Sequence, residues 1–276
     1  MEKIKQALER AKNENVRSGA VGAQSGKPRK SSKSPREEIK EIQYNQTQVV
    51  ETVTTERLKH RIVVGSGGDP DGAETAYKIL RTQVEQRMAA KGWNALAITS
   101  PGPGAGKTVT AINLALALAQ EVHRTVLLVD LDLRNPNVHK RFNCEINYGL
   151  VDYLIDDVPL SDILINPGID RLVILPAGVK PLAYSSELIA SPKMVDLVDE
   201  LKSRYPSRLI VFDLPPVLSS DDALAFSPFV DTSLVVVAEG LTTNEELKRT
   251  LEVMGDGNVL GTVLNKSSEE QQAYYA

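Results

Sequence analysis

One cysteine, Cys144, stands in 276 residues, so no disulfide can form within the chain. That usage fits a reducing compartment. Aromatic residues are sparse at 5%, with a single tryptophan. Nothing reads as the basic, aromatic-interleaved surface of a nucleic-acid binder, so no nucleic-acid partner is expected. The three histidines, His60, His123 and His139, lie far apart and show no metal-ligand spacing. No apolar run approaches the roughly 20 residues that a membrane-spanning helix needs. The opening residues, Met1-Glu2-Lys3-Ile4-Lys5-Gln6, carry no apolar signal region. A cytoplasmic protein is the expectation.

What is present is ordinary in amount and uneven in place. Hydrophobic residues make up 42% and charged residues 25%, as in a soluble globular chain of one large or two small domains. The net charge is −4, yet residues 1–40 carry eleven Lys/Arg against five Asp/Glu, and the remainder carries the opposite excess. Such a basic arm suits a solvated tail, an anionic membrane surface or an acidic partner. Residues 1–12 pattern as a short amphipathic helix with Ile4, Ala7, Leu8 and Ala11 on one face, a docking element by its position. Residues 13–37 are rich in Ser, Gly, Lys and Pro and read as a linker. Residues 38–59 are polar and receive no element. The expected division is a basic, largely flexible region over 1–61 and a folded domain over 62–276 that starts at Ile62-Val63-Val64.

From there strands and helices alternate. A helix is expected over 74–88, with Tyr77, Leu80 and Val84 on one face. Strands are expected over 94–99, 126–130, 172–175, 209–213, 234–238 and 259–264. Helices are expected over 109–122, 136–142, 187–205, 220–226 and 244–254. Val/Ile/Leu strands without polar alternation, separated by helices, predict an α/β fold: a mostly parallel sheet covered by helices on both faces.

Ser100-Pro101-Gly102-Pro103-Gly104-Ala105-Gly106-Lys107-Thr108 joins the first of those strands to an Ala/Leu-rich helix. Strand, glycine-rich loop, Lys-Thr and helix make the phosphate-binding loop of a P-loop NTPase fold. Glycines let backbone N–H groups converge on phosphate, and the helix N-terminus adds its dipole. Gly102, Gly104, Ala105, Gly106, Lys107, Thr108 and Val109 are the candidate ATP contacts, with Lys107 on the outer phosphates and Thr108 on Mg²⁺. The first motif glycine is replaced by Pro101. Asp130-Leu131-Asp132-Leu133-Arg134 follows the next apolar strand. Alternation would turn both carboxylates into the site, where they suit Mg²⁺ ligation and acceptance of a hydroxyl proton. Arg134 could pair with phosphate or with a neighbouring carboxylate. A third strand ends in Asp213-Leu214-Pro215-Pro216, the place for a carboxylate that holds Mg²⁺.

These three motifs, in this order, resemble the bacterial tyrosine kinases, the cytosolic half of capsule and exopolysaccharide autokinases. The likeness covers about residues 62–276. It extends to Asn135, Pro136, His139 and Phe142, to Pro176-Ala177-Gly178 with Ser186-Glu187-Leu188 and Ser191, and to Gly261-Thr262-Val263-Leu264-Asn265. The resemblance implies an ATP- and Mg²⁺-dependent transfer of phosphate to tyrosine. It sets Lys107 on the transferring phosphate and Thr108, Asp132 and Asp213 on metal. Asp130 falls to the tyrosine hydroxyl, Arg134 to the catalytic set and Asn265 to the neighbourhood of the base. It makes Tyr274 and Tyr275 the phosphoacceptors, the product an oligomer of this chain, and a membrane-anchored polysaccharide co-polymerase the activating partner. Recruitment would then be to the inner face of the membrane. The family's E-x-x-R-x-x-R ring helix is only partly matched: Arg81 fits, Lys78 stands for the middle arginine and Glu74 is one residue out of place. The competing reading is a Par/Min-type positioning ATPase. Those proteins carry a lysine five residues before the motif lysine, where this chain has Gly102.

Overall fold

The computed structural model describes residues 48–49, 61–65, 72–205, 207–255 and 259–267. The expected docking helix over 1–12, the linker and the terminal tyrosines lie outside them. The elements run β1 (Gln48–Val49), α1 (Ala73–Lys91), β2 (Ala95–Thr99), α2 (Lys107–Ala119), β3 (Thr125–Asp130), α3 (Val138–Arg141), α4 (Leu150–Asp156), α5 (Leu160–Ile163) and β4 (Ile165–Asn166). They continue with β5 (Leu172–Leu175), α6 (Ser186–Ile189), α7 (Pro192–Arg204), β6 (Arg208–Asp213), α8 (Asp222–Phe226), a 3-10 turn (Ser227–Phe229), β7 (Thr232–Ala238), α9 (Asn244–Met254) and β8 (Val259–Asn265). All fall within the compact unit Glu37–Ala276. Among the described residues, no helix is long and apolar enough to cross a membrane.

The strands form one sheet in the order β1-β4-β5-β3-β6-β2-β7-β8. Every pairing is parallel except β4 with β5. The mostly parallel sheet expected from sequence is therefore present. It reaches further upstream than Ile62, because Gln48–Val49 pairs with β4. Two residues in a polar stretch are too short to leave a pattern in the sequence.

Alternation of side chains builds two cores. Leu96, Ile98, Val126, Leu128, Leu209 and Val211 pack with α2 and with Val84 and Met88 of α1. Ala95, Ala97, Leu127, Val129, Ile210 and Phe212 face the other way, onto Met194, Leu197, Val198 and Leu201 of α7 and onto Phe226. Helix α2 is buried at every position from Thr110 to Ala119, which explains its Ala/Leu composition. The helix expected over 187–205 is two helices. Ser191 is extended and caps α7, its Oγ accepting from Met194 N at 3.3 Å, and Pro192 opens the new helix.

Asn113 is the polar exception inside α2. Its Oδ1 accepts from Val63 N (2.8 Å) and Val64 N (3.2 Å), and its Nδ2 donates to Arg61 O and Val109 O. One fully buried amide thus fastens residues 61–64 to α2. Asn113→Leu strands two backbone donors and should lower unfolding stability by about 1–3 kcal/mol, read as a shifted denaturant midpoint at constant slope. Cys144 is buried, and burial pushes its thiol up to about 11. Iodoacetamide at pH 8 should therefore leave it untouched in the native protein and alkylate it fully in guanidinium; rapid native labelling would contradict the burial.

Candidate functional site

Register places the site. Ile98 at the end of β2 lies opposite Asp213 at the end of β6, and Asp213 lies opposite Asp130 at the end of β3. Three adjacent parallel strands therefore finish together, and the loop that leaves β2 crosses their carboxyl ends. Gly104 (φ 78°) and Gly106 (φ 96°) are left-handed, as this loop's turns require. A Cβ on Gly106 would also collide with the Asn265 amide. Gly106 is the N-cap of α2 and no side chain caps the helix there, so its first N–H groups face the loop.

The proline in place of the first motif glycine is accommodated by neighbours. Pro101 O accepts from Leu218 N (3.1 Å), Ser100 O accepts from Val217 N (2.9 Å), and Ser100 Oγ donates to Gly102 O (2.8 Å). The turn after Asp213 thus holds the incoming turn of the loop, without needing a left-handed residue at 101. Gly102 has room for a side chain; a Cβ there would meet only Glu246 Oε1, 4.0 Å away. The missing lysine is a matter of chemistry at that position rather than of space.

Lys107 sits among the carboxylates. Its Nζ is 2.7 Å from Asp132 Oδ2, 3.8 Å from Asp213 Oδ1 and 3.4 Å from Thr108 Oγ1. Burial alone would lower the ammonium's pKa, but the charges of Asp213, Asp132 and Asp130 outweigh it and hold the pKa above the ordinary value. Burial raises Asp213, with Lys107 and the Thr108 hydroxyl pulling the other way. Burial, then repulsion from Asp213, pushes Asp130 up to about 7. Asp213 Oδ1 is buried with no hydrogen-bond partner. A hard-oxygen pair, Asp213 and Thr108, with one orphaned carboxylate oxygen suits Mg²⁺. Among the described residues no three His, Cys, Asp or Glu side chains form a metal cage, so phosphate oxygens and water would complete the shell.

The two aspartates of the DxD pair are not equivalent. Asp130 Oδ2 accepts from Asn137 N and Val138 N, both 3.0 Å, and Oδ1 accepts from Asp132 N at 3.2 Å. Its carboxylate shapes the turn into α3 and is fully buried. Asp132 is the one that touches Lys107 and retains some exposure. The oxygens of Asp130, which the resemblance sets on the incoming hydroxyl, are thus occupied by backbone donors: β3 ends at Asp130, and the chain folds back on it.

Arg134 and Asn265 are both engaged within the chain. Arg134 does not reach toward the loop. Its Nε donates to Asp222 Oδ2 (2.9 Å) and Ser185 Oγ (3.1 Å), and Ser185 Oγ donates to Asp222 Oδ2 (2.7 Å). Asp221 lies 3.5 Å from its outer nitrogen. Of the two roles open to Arg134, pairing with a carboxylate is the one found. Asn265 commits its amide to Ala105 O (2.8 Å), where it braces the loop. Sequence reasoning missed Ser185 and Asp222 altogether, and no local signal marks a contact across 88 positions. Arg81 is engaged within the chain, by Glu121 (3.2 Å) and Ala117 O (3.3 Å), while Lys78 pairs with Glu74.

The Arg134–Ser185–Asp222 clamp fixes the segment that carries Asp132 against α8, which follows the Asp213 strand. Asp222→Asn removes the buried charge at constant shape. Turnover should fall roughly 10- to 100-fold from misplacement of Asp132, with ATP affinity changed little. An equal loss in ATP affinity would assign the clamp to nucleotide binding instead.

Comparison with known proteins agrees with this geometry. A family model described as an AAA domain matches residues 94–254. Tyrosine-protein kinase YwqD of Bacillus subtilis (strain 168) is 31% identical over 204 residues, covering 72% of this chain and 84% of its own length. The matching putative tyrosine-protein kinase CapB of Staphylococcus aureus is likewise covered to 86% of its length, whereas several others are longer and the chain spans only 26–28% of them. Among solved structures, the chimerical protein CapA2B2 superposes with a TM-score of 0.68 at 29% identity, covering 80% of this chain and 94% of that one. The kinase domain of the Escherichia coli tyrosine kinase ETK gives 0.65 at 29% identity, covering 72% and 79%. With a lysine at the start of α2 meeting the aspartates at or just past the ends of two neighbouring strands, and with these relatives, the chain belongs to the bacterial tyrosine-protein kinase family.

Proposed function

We propose that this chain transfers the γ-phosphoryl group of ATP to tyrosine hydroxyls, its own Tyr274 and Tyr275 among them, in a system that makes or exports an extracellular polysaccharide. The observation that supports this most is the meeting of Lys107, Asp132 and Asp213 at the uncapped N-terminus of α2. Phosphoryl transfer needs little covalent help from a protein; it needs charge neutralised and reactants aligned. The α2 amides and the loop from Gly102 to Val109 would cradle the phosphates. Lys107, now turned to Asp132 and Asp213, would turn to the transferring phosphate. Asp132 would orient the tyrosine hydroxyl and take its proton, while Asp130 holds the turn that presents Asp132. Thr108 and Asp213, with Asp132 nearby, would hold Mg²⁺, which supplies charge neutralisation on the phosphates.

The partner chemistry follows the same reading. A membrane-anchored polysaccharide co-polymerase would recruit and activate the chain at the inner face of the cell membrane, and copies of the chain would assemble so that tail and site meet. The name of the chimerical CapA2B2 structure, a fusion of two components, supports such a pairing. The positioning-ATPase reading has less behind it. Gly102 offers no activating lysine, although the space for one exists.

Purified chain, activator, ATP and Mg²⁺ should yield phosphotyrosine on the 268–276 peptide by mass spectrometry. Lys107→Met should abolish it, and the double Tyr274→Phe, Tyr275→Phe variant should remove most of it. Steady phosphate release without phosphotyrosine would instead establish the ATPase.

A further inference from the structure

We infer that Tyr184 is a second phosphoacceptor, modified by another copy of this chain; the inference rests on the tyrosine-kinase reading and adds a site to it. Five tyrosines lie among the described residues, and four are poorly placed to accept phosphate. Tyr77 is packed against the core, and burial raises its phenol. The Tyr153 ring lies under the Lys193 ammonium, 4.9 Å away. The Tyr205 ring has the guanidinium groups of Arg208 and Arg204 at 4.0 and 5.7 Å. Tyr148 is half-exposed and precedes Gly149, whose backbone is pressed against Gly178. Tyr184 is 83% exposed, and it sits in residues 176–185, which form neither helix nor strand. An acceptor must offer its hydroxyl in solvent, clear of the packed helices and strands of its own chain.

Its anchors decide which enzyme it faces. Leu182 N donates to Leu133 O (2.8 Å), one residue beyond Asp132. Ser185 Oγ is held by Asp222 and Arg134. Tyr184 lies between these two tethers, so its backbone is fixed at the rim of the site while its ring stands in solvent. Asp132 and Asp213 of its own chain are buried inside the rim. The hydroxyl is presented outward, away from its own cleft and toward that of a second copy.

The transfer balances simply. The Tyr184 oxygen bonds to the γ-phosphorus of ATP held by the second copy. The bond from that phosphorus to the bridging oxygen breaks, ADP leaves, and the phenolic proton passes to Asp132 of the second copy. The product dianion then stands next to Ser185, within the neighbourhood of the Arg134 guanidinium.

The test is run in the source cells, so that any activator is present. A tagged Lys107→Met chain, also carrying Tyr274→Phe and Tyr275→Phe, is expressed beside the active native chain, purified and mapped by mass spectrometry. Phosphate is expected on the peptide containing Tyr184, should vanish when Tyr184→Phe is added, and should vanish when the native chain is deleted. An Asp213→Asn acceptor, inactive through a different lesion, guards against misfolding of the first. If the tail tyrosines of the native chain are phosphorylated and Tyr184 of the dead copy is not, this inference falls and the kinase reading stands. Phosphate on Tyr184 of active chains alone overturns transfer between copies. Absence of phosphotyrosine from every chain, native included, overturns the kinase reading itself.

Discussion

An ammonium buried among three aspartates cannot be held without help. Each carboxylate loses water on burial, and each resists a neighbour of its own sign; the raised pKa values of Asp130 and Asp213 record both effects. Lys107 offsets the excess of negative charge, and the rest of the structure exists to keep these four groups together. The parallel register of β2, β6 and β3 sets their spacing. The α2 amides add positive potential. Because one lysine leaves the carboxylates under-compensated, further positive charge is favoured there. A divalent cation and a phosphate chain fit as a pair, one neutralising the aspartates and the other receiving the lysine.

Around this cluster the supports are backbone and side-chain hydrogen bonds from distant segments. The turn after Asp213 holds Ser100 and Pro101. Asn265, at the end of β8, braces Ala105. Asp222 and Ser185 hold Arg134. The supports come from the ends of β5, β6 and β8 or the segments that follow them, so the site is a product of the carboxyl edge of the sheet. This is why the glycine at 101 is dispensable while Gly106 is not: the first has been replaced by hydrogen bonds, the second is filled by a neighbouring side chain.

Much of this was legible in the sequence, and the failures have physical causes. The central strands were readable because strands covered on both faces must be apolar throughout. Helix α9 shows its capping box, with Thr243 and Glu246 exchanging hydrogen bonds across one turn. Strands β1 and β4, two residues each, are below the length at which a pattern exists. The break between α6 and α7 was written in Ser191-Pro192, and helical periodicity on either side obscured it. For Asp130 and Asp132, alternation could not show the turn that joins them, since it holds only while the chain remains extended. Asp132 N turns back onto Asp130 Oδ1, and beyond that point side-chain direction is set by a turn. Arg134 and Asp222 are joined only by the fold.

Asn113 adds a mechanical property to this arrangement. Its amide links residues 61–64 directly to the helix that begins with Lys107. Three hydrogen bonds therefore join residues 61–64 to a helix that is buried from Thr110 to Ala119 and begins with Lys107, so loss of this one amide would loosen the packing beneath the lysine as well as the segment itself.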